Sequence, residues 1–219
     1  MVIIDYNKKH HQKIIHACVA ALKQGKVVAY PTDTCYGLAA DVSNLAAVKK
    51  VFAVKGRSFK KPVSIIPPSA AASKKIVVWD KLSEKLAKKF FPGPITLVLS
   101  IKNQELRGKN IKALSANTGE LGIRQPKNNI ALDLAKYLKQ PITTTSANIS
   151  GEPECYSAEE LLKQFEKAKY KPDIIINSGR LAKRKPSTLI KVVNGEAIVL
   201  RAGPISERKI KSYILHHKS

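Results

Sequence analysis

Three short stretches concentrate the side chains that can do chemistry. The first, PTDTCYGLAADV over residues 31–42, puts Thr32, Asp33, Thr34 and Gly37 directly after the apolar run Val27, Val28, Ala29 and Tyr30. A buried strand running into hydroxyls, an acid and a glycine marks the sheet edge where open α/β folds hold small ligands. The second, KGRSFKKP over residues 55–62, sets Lys55 and Arg57 on either side of Gly56. A planar guanidinium fork and a lysine point charge can face one polyanion together, or the stretch can be a solvated basic turn. The third, PITTTSANISGE over residues 141–152, ends a strand in Thr143, Thr144, Thr145 and Ser146, followed by Asn148. These are neutral donors packed into little space, although threonine also suits strands for conformational reasons alone. Arg124 in LGIRQP, Ser187 in PSTLIKV and Arg201 in VLRAGPIS stand at three further strand ends.

Several common machines are missing. There is no G-x-x-x-x-G-K-[ST] phosphate loop and no G-x-G-x-x-G dinucleotide fingerprint. The histidines (His10, His11, His16, His216 and His217) lie at the two ends, which disfavours a Ser-His-Asp or Cys-His device or a histidine metal cluster. The His10-His11 and His216-His217 pairs are expected to be solvated. Cys18, Cys35 and Cys155 are far apart and odd in number, against a disulfide framework or a zinc site. Cys35 lies within the first motif with no histidine near it in sequence, so a small buried neutral role is favoured over a nucleophile. With hydroxyls, amides and cations but no strong base, the pattern suits positioning and charge stabilisation, as in nucleotidyl or phosphoryl transfer with a metal–nucleotide.

The elements that must position these residues read as mixed. Helical spacing or capping signals appear at 11–23, 44–54 (capped by Ser43 or Asn44), 80–91, 128–139, 157–167 and 206–216. Ser157 and Glu160 suggest a capping box. Strands are expected at 27–30, 62–66, 95–101, 121–124, 142–145 and 173–177, with a hairpin of 188–193 and 197–201 turned at Asn194-Gly195. This predicts an α/β fold: one domain over 1–219 with a twisted mixed parallel/antiparallel sheet flanked by helices, its motifs spanning about 27–205 and a terminal helix within 206–219. Residues 179–187, with four basic side chains, read as a solvated loop or a lid over an anion.

Composition sets outer bounds. The 219 residues are 44% hydrophobic, so a real core can form. No apolar run approaches the roughly 20 residues needed to cross a bilayer, and the N-terminus lacks the order of a signal peptide, so a cytoplasmic protein is expected. Lys plus Arg is 39 against 16 acids, a net +23 that attracts nucleotides, nucleic acid or acidic lipid, or reflects a lysine-rich proteome.

Taken in order, PTDTCYGLAADV, KGR, FFPGPITLVL, LGIRQP, TTSANISGEP, STLIKV and VLRAGPI resemble the YrdC-like family, whose enzymes are threonylcarbamoyl-AMP synthases. Larger members carry a further C-terminal domain, so the resemblance is to the short form. It implies a sheet with a deep basic cavity and a reaction of L-threonine, bicarbonate and ATP giving threonylcarbamoyl-AMP, pyrophosphate and water. The product would serve tRNA modification through a partner transferase complex. The family tetrad K-x-R…S-x-N falls on Lys55, Arg57, Ser146 and Asn148, the implied catalytic residues. The implied threonine pocket is Thr32, Arg124, Thr144, Ser146 and Ser187. ATP contacts carry over to Lys55, Arg57, Ser146, Asn148 and Arg201, with Mg²⁺ accompanying the triphosphate and no protein metal ligand assigned. Gly37 is expected to let the backbone turn. Ser58, Phe59, Lys60 and Glu120 depart from the family pattern, and a carboxylate at Glu120 would repel phosphate unless a metal or lysine intervened. An RNA-binding protein without chemistry of its own is the alternative, and carbamoyl transfer to another acceptor a third reading.

Overall fold

The computed structural model describes residues 1–102 and 109–216. Its strands are β1 (Val2–Asp5), β2 (Val28–Tyr30), β3 (Gly37–Ala39), β4 (Ser64–Ile66), β5 (Ile95–Ser100), β6 (Glu120–Arg124), β7 (Ile142–Ser146), β8 (Ile174–Asn177), β9 (Thr188–Val193) and β10 (Glu196–Arg201). They form one mixed sheet in the order β1-β8-β2-β3-β7-β4-β6-β5-β9-β10. Four pairs are parallel (β1 with β8, β2 with β8, β4 with β6, β5 with β9), the others are antiparallel, and β7 is antiparallel to both its neighbours. Helices α1 (His11–Lys23), α2 (Leu45–Lys55), α3 (Ala70–Ile76), α4 (Lys81–Phe90), α5 (Lys109–Leu114), α6 (Asn129–Leu138), α7 (Ala158–Phe165) and α8 (Glu207–His216) flank it. The last three residues of the expected terminal helix, His217 among them, lie outside the described residues.

Strand alternation sorts the β2 side chains into two cores. Val28 and Tyr30 pack with α1 and α6 on one face, through Ile15, Leu22, Leu134 and Leu138. Val27 and Ala29 turn to the other face, against Ala47, Val51 and Val54 of α2 and Leu161 and Phe165 of α7. A third core, around Ile65, Leu97, Ile123 and Ile190, lies under β4, β5, β6 and β9 with Leu86 of α4.

The helix starts follow local chemistry. Asn44, Asp80, Asn128 and Ser157 each accept a backbone N–H of the first turn. At α7 only half of the expected box forms. Ser157 accepts from Glu160 N, but the Glu160 carboxylate accepts from Tyr156 N, one residue ahead of the cap, and holds Arg180 at 2.7 Å. Asn194 and Gly195 both take positive φ, 52° and 73°, as a two-residue hairpin turn with the right twist requires.

Two expectations change. His11 is not a solvated histidine: its Nε2 lies 2.8 Å from Asp133 on α6 and its Nδ1 3.0 Å from the Tyr6 hydroxyl, because α1 packs directly on α6. Gly37 does not turn the chain. It lies in β3 opposite Tyr30, and a Cβ there would stand 3.1 Å from the Tyr30 ring. Its missing side chain makes room for a buried aromatic.

Candidate functional site

Sheet register gathers one row of side chains from strands far apart in sequence. Ser64 on β4 pairs with Thr144 on β7, and Ser146 pairs with Gly37 on β3. Thr96 on β5 pairs with Arg124 on β6 and, on its other side, with Leu189 on β9. The register of β10 shifts between Val199 and Arg201, so that Arg201 falls opposite Leu189. Such a bulge re-aims the side chain that follows it, and the Arg201 guanidinium reaches Ser187 O and Oγ. Gly122, two residues before Arg124, keeps the floor open: a Cβ there would stand 2.2 Å from Ser64 Oγ and 2.9 Å from Ser64 Cβ.

These residues line a cavity of about 240 Å³ whose wall includes Arg57, Arg124, Thr144, Ser146, Ser187 and Arg201. Two larger hollows adjoin it. One of about 430 Å³ shares Thr34, and one of about 810 Å³ shares Glu154. A nucleotide-sized ligand fills several hundred Å³, so the adjoining spaces are needed to seat one.

The remaining expected residues sit around the wall. Thr32 borders the 430 Å³ hollow, and its hydroxyl is used within the loop: it donates to Cys35 O at 2.7 Å and accepts from Thr34 N at 3.0 Å. It shapes the turn that presents Thr34. Lys55, 2% exposed, and Asn148, 6% exposed, lie beneath the wall. Lys55 Nζ donates to Ser146 O, to Asn148 O at 2.9 Å and to Asn148 Oδ1 at 2.9 Å. Asn148 Oδ1 also accepts from Ser146 Oγ at 2.6 Å, while Asn148 Nδ2 donates to Ile149 O and Glu152 O. The lysine and the asparagine amide therefore fix the loop that carries Ser146.

Lys55 can be placed there because α2 ends on it, with Gly56 in the left-handed region at φ 56°. The basic turn that follows is pinned by Phe59, whose ring stacks on Phe52 with centroids 4.4 Å apart, and by Ser58 Oγ, which accepts from Lys60 N. Arg57 then donates to Lys61 O and Pro62 O. Burial lowers the Lys55 pKa to about 8, with the Arg57 charge adding to the effect. Burial also lowers Arg57 and Arg201, and the Arg201 charge contributes to the shift at Arg57. The Cys35 thiol is pushed up to about 11 by burial, which keeps it neutral and makes it a poor nucleophile.

Residues outside the implied catalytic, threonine and ATP sets also border the site. Asp33 holds Arg124 NH2 at 2.6 Å, with the two side chains 5% and 11% exposed. Thr34 Oγ1 accepts from the same nitrogen at 2.9 Å, and Arg124 Nε is buried with no partner among the described residues. Glu120 pairs with Lys191 at 2.6 Å at the opposite end of β6 from Arg124 and is not among the residues lining the cavity. Ser64, Thr96 and Glu154 also line the cavity. Among the described residues no three metal-ligating side chains cluster, and no helix is long and apolar enough to cross a membrane.

The model of the Sua5/YciO/YrdC family, described as telomere recombination, matches residues 20–203. A putative threonylcarbamoyl-AMP synthase of Methanocaldococcus jannaschii is 34% identical over 208 residues, covering 95% of this chain and 94% of that protein. The threonylcarbamoyl-AMP synthase of Pyrococcus abyssi is 32% identical over 217 residues, covering 97% of this chain but 61% of its own length. The crystal structure of P. abyssi Sua5 complexed with L-threonine superposes with a TM-score of 0.86 at 32% identity, over 98% of this chain and 61% of that one. The chain thus spans nearly all of the first relative and about three fifths of the second.

Proposed function

Because the chain belongs to the Sua5/YciO/YrdC family, we propose that it is an L-threonylcarbamoyladenylate synthase that makes threonylcarbamoyl-AMP from L-threonine, bicarbonate and ATP for tRNA modification. The observation that carries this reading is the meeting of Arg57, Arg124, Ser146, Ser187 and Arg201 on one cavity wall. In this reading Arg124, oriented by Asp33 and Thr34, takes the threonine carboxylate at the cavity wall. Thr144, Ser146 and Ser187 supply contacts to the hydroxyl and amine, and Thr32 acts through the turn it holds. The amine attacks carbon dioxide or bicarbonate to give a carbamate. A carbamate oxygen then attacks the α-phosphorus, and pyrophosphate leaves. Arg57 and Arg201 stabilise charge on the triphosphate at the wall. Lys55 adds a positive charge from beneath, and with Asn148 it fixes Ser146. Mg²⁺ would supply further neutralisation of the triphosphate. With no cluster of three metal-ligating side chains among the described residues, it fits as an ion held chiefly by phosphate oxygens.

A pyrophosphate-release assay tests the proposal. Release that requires L-threonine and bicarbonate together is the expected result. No release under any combination, with salt-sensitive RNA binding instead, would establish the RNA-binding alternative that the net charge of +23 permits. Transfer of the product to tRNA requires the partner complex and is read separately.

The Lys55 pKa of about 8 gives this site a pH signature. Below that value the ammonium is charged and its field favours nucleotide; above it the charge is lost. Affinity for a non-hydrolysable ATP analogue therefore falls as pH rises through about 8, and Lys55→Met removes that limb. Stability moves the other way. Between about 8 and the ordinary lysine value of 10.5 the unfolded chain binds more protons at Lys55 than the folded chain does, so this group's contribution to stability rises with pH. Calorimetric titration and urea unfolding over the same pH range check the opposite signs.

A further inference from the structure

We propose that Glu154 is this protein's own ligand for a divalent cation that enters with the nucleotide triphosphate. The inference rests on the synthase reading and adds a residue to its nucleotide half. Glu154 is the one carboxylate among the residues lining the 240 Å³ cavity, and it also borders the adjoining 810 Å³ hollow. It shares that cavity wall with Arg57 and Arg201, and its negative charge acts on Arg201 and on Lys55, the cations assigned to the triphosphate. Asp33, which borders the 430 Å³ hollow, is already neutralised by Arg124 at 2.6 Å. Glu154 has no such partner among the described residues. The Tyr156 hydroxyl donates to its Oε2 at 3.1 Å and also contacts Arg184 O at 3.2 Å, which fixes the carboxylate. Oε1 has no hydrogen-bond partner among the described residues.

A carboxylate facing a triphosphate is repelled by it. A divalent cation between them replaces that repulsion with attraction on both sides. Mg²⁺ commonly binds through one or two carboxylates together with substrate phosphates, keeping several waters. One carboxylate, with no three-residue cluster among the described residues, suffices for such a shared site and is too little for a resident metal. The cation therefore binds in the presence of nucleotide and not before it.

The test uses the full chain, ATP, Mg²⁺ and Mn²⁺. ATP affinity is measured by calorimetry with Mg²⁺ and with chelator, and Mn²⁺ binding is followed by its paramagnetic resonance signal. In the unmodified protein Mg²⁺ is expected to strengthen ATP binding about tenfold, a typical coupling between two ligands. Mn²⁺ alone is expected to bind weakly. Glu154→Gln should lose most of the Mg²⁺ gain. Glu154→Lys, which puts a fixed cation in the metal's place, should bind metal-free ATP more tightly than the unmodified protein. Damaged folding cannot imitate that gain. A full Mg²⁺ gain in Glu154→Gln, or tight Mn²⁺ binding without nucleotide, overturns the assignment. Weaker threonine binding in Glu154→Gln with the Mg²⁺ gain intact would make Glu154 an anchor for the amine instead, and also overturns it. ATP binding under neither condition in the unmodified protein overturns the synthase reading itself, a distinct result.

Discussion

Replacing Lys55 by methionine is expected to lower turnover by about 10²–10³, the scale seen when one preorganised charge-stabilising donor is removed. Methionine keeps the apolar stem in its buried channel, so loss of packing is small. What disappears is an ammonium donating to Ser146 O, Asn148 O and Asn148 Oδ1. The loop carrying Ser146 then loses its fixed position as well as the positive charge below it. Two readouts separate these effects. Hydrogen exchange of backbone amides over residues 146–152 should speed up, reporting the loosened loop. The Michaelis constant for ATP should rise more than that for threonine, reporting the lost charge. Arg57→Ala should cost less rigidity, because its guanidinium caps carbonyls of its own turn. Turnover in Lys55→Met close to that of the unmodified protein would remove Lys55 from the mechanism.

Arg124→Ala is expected to abolish measurable threonine binding and to cost about 3–5 kcal/mol of stability, the range for breaking a buried ion pair from one side. The cost arises at Asp33, which is 5% exposed and would keep only the Lys127 backbone N–H as a donor. The double change Arg124→Ala with Asp33→Asn should recover much of the stability, since no uncompensated charge is left. It should not recover threonine binding. Urea unfolding and calorimetric titration with threonine, on the single and double variants, read the two quantities apart. Threonine affinity restored by the double change would show that Arg124 serves only to neutralise Asp33.

Local signals in the chain were legible where local chemistry decides structure. The Asn194-Gly195 hairpin, the bounds of α1 and the cap at Ser157 could be read from sequence, Asn44 was one of two cap choices, and Asp80 and Asn128, read as first helical residues, turn out to be caps. β1 could not, because Val2–Asp5 is a mostly exposed edge strand whose partner, β8, begins at Ile174. β3 is three small or apolar residues buried on both faces, so it has no alternation to detect. The two-turn α3 and the short α5 carry too little periodicity. At the site, the residue types that bind anions were visible, but the single serine at 64, threonine at 96 and glutamate at 154 were not distinguishable from ordinary strand and loop residues. Register is what makes them neighbours, and register is set by pairings far apart in the chain. Thr34, too, gains its importance only when Arg124 is brought across to it.

β7 is the one strand shared by the two halves of the sheet, touching β3 on one side and β4 on the other. The loops carrying Thr34 and Glu154 belong to the first half; Arg124, Ser187 and Arg201 belong to the second. Any occupant gripped from both banks ties them together across a single ribbon of backbone. In the synthase reading the substrate is then held by residues of both halves at once, and neither half alone presents the complete grip.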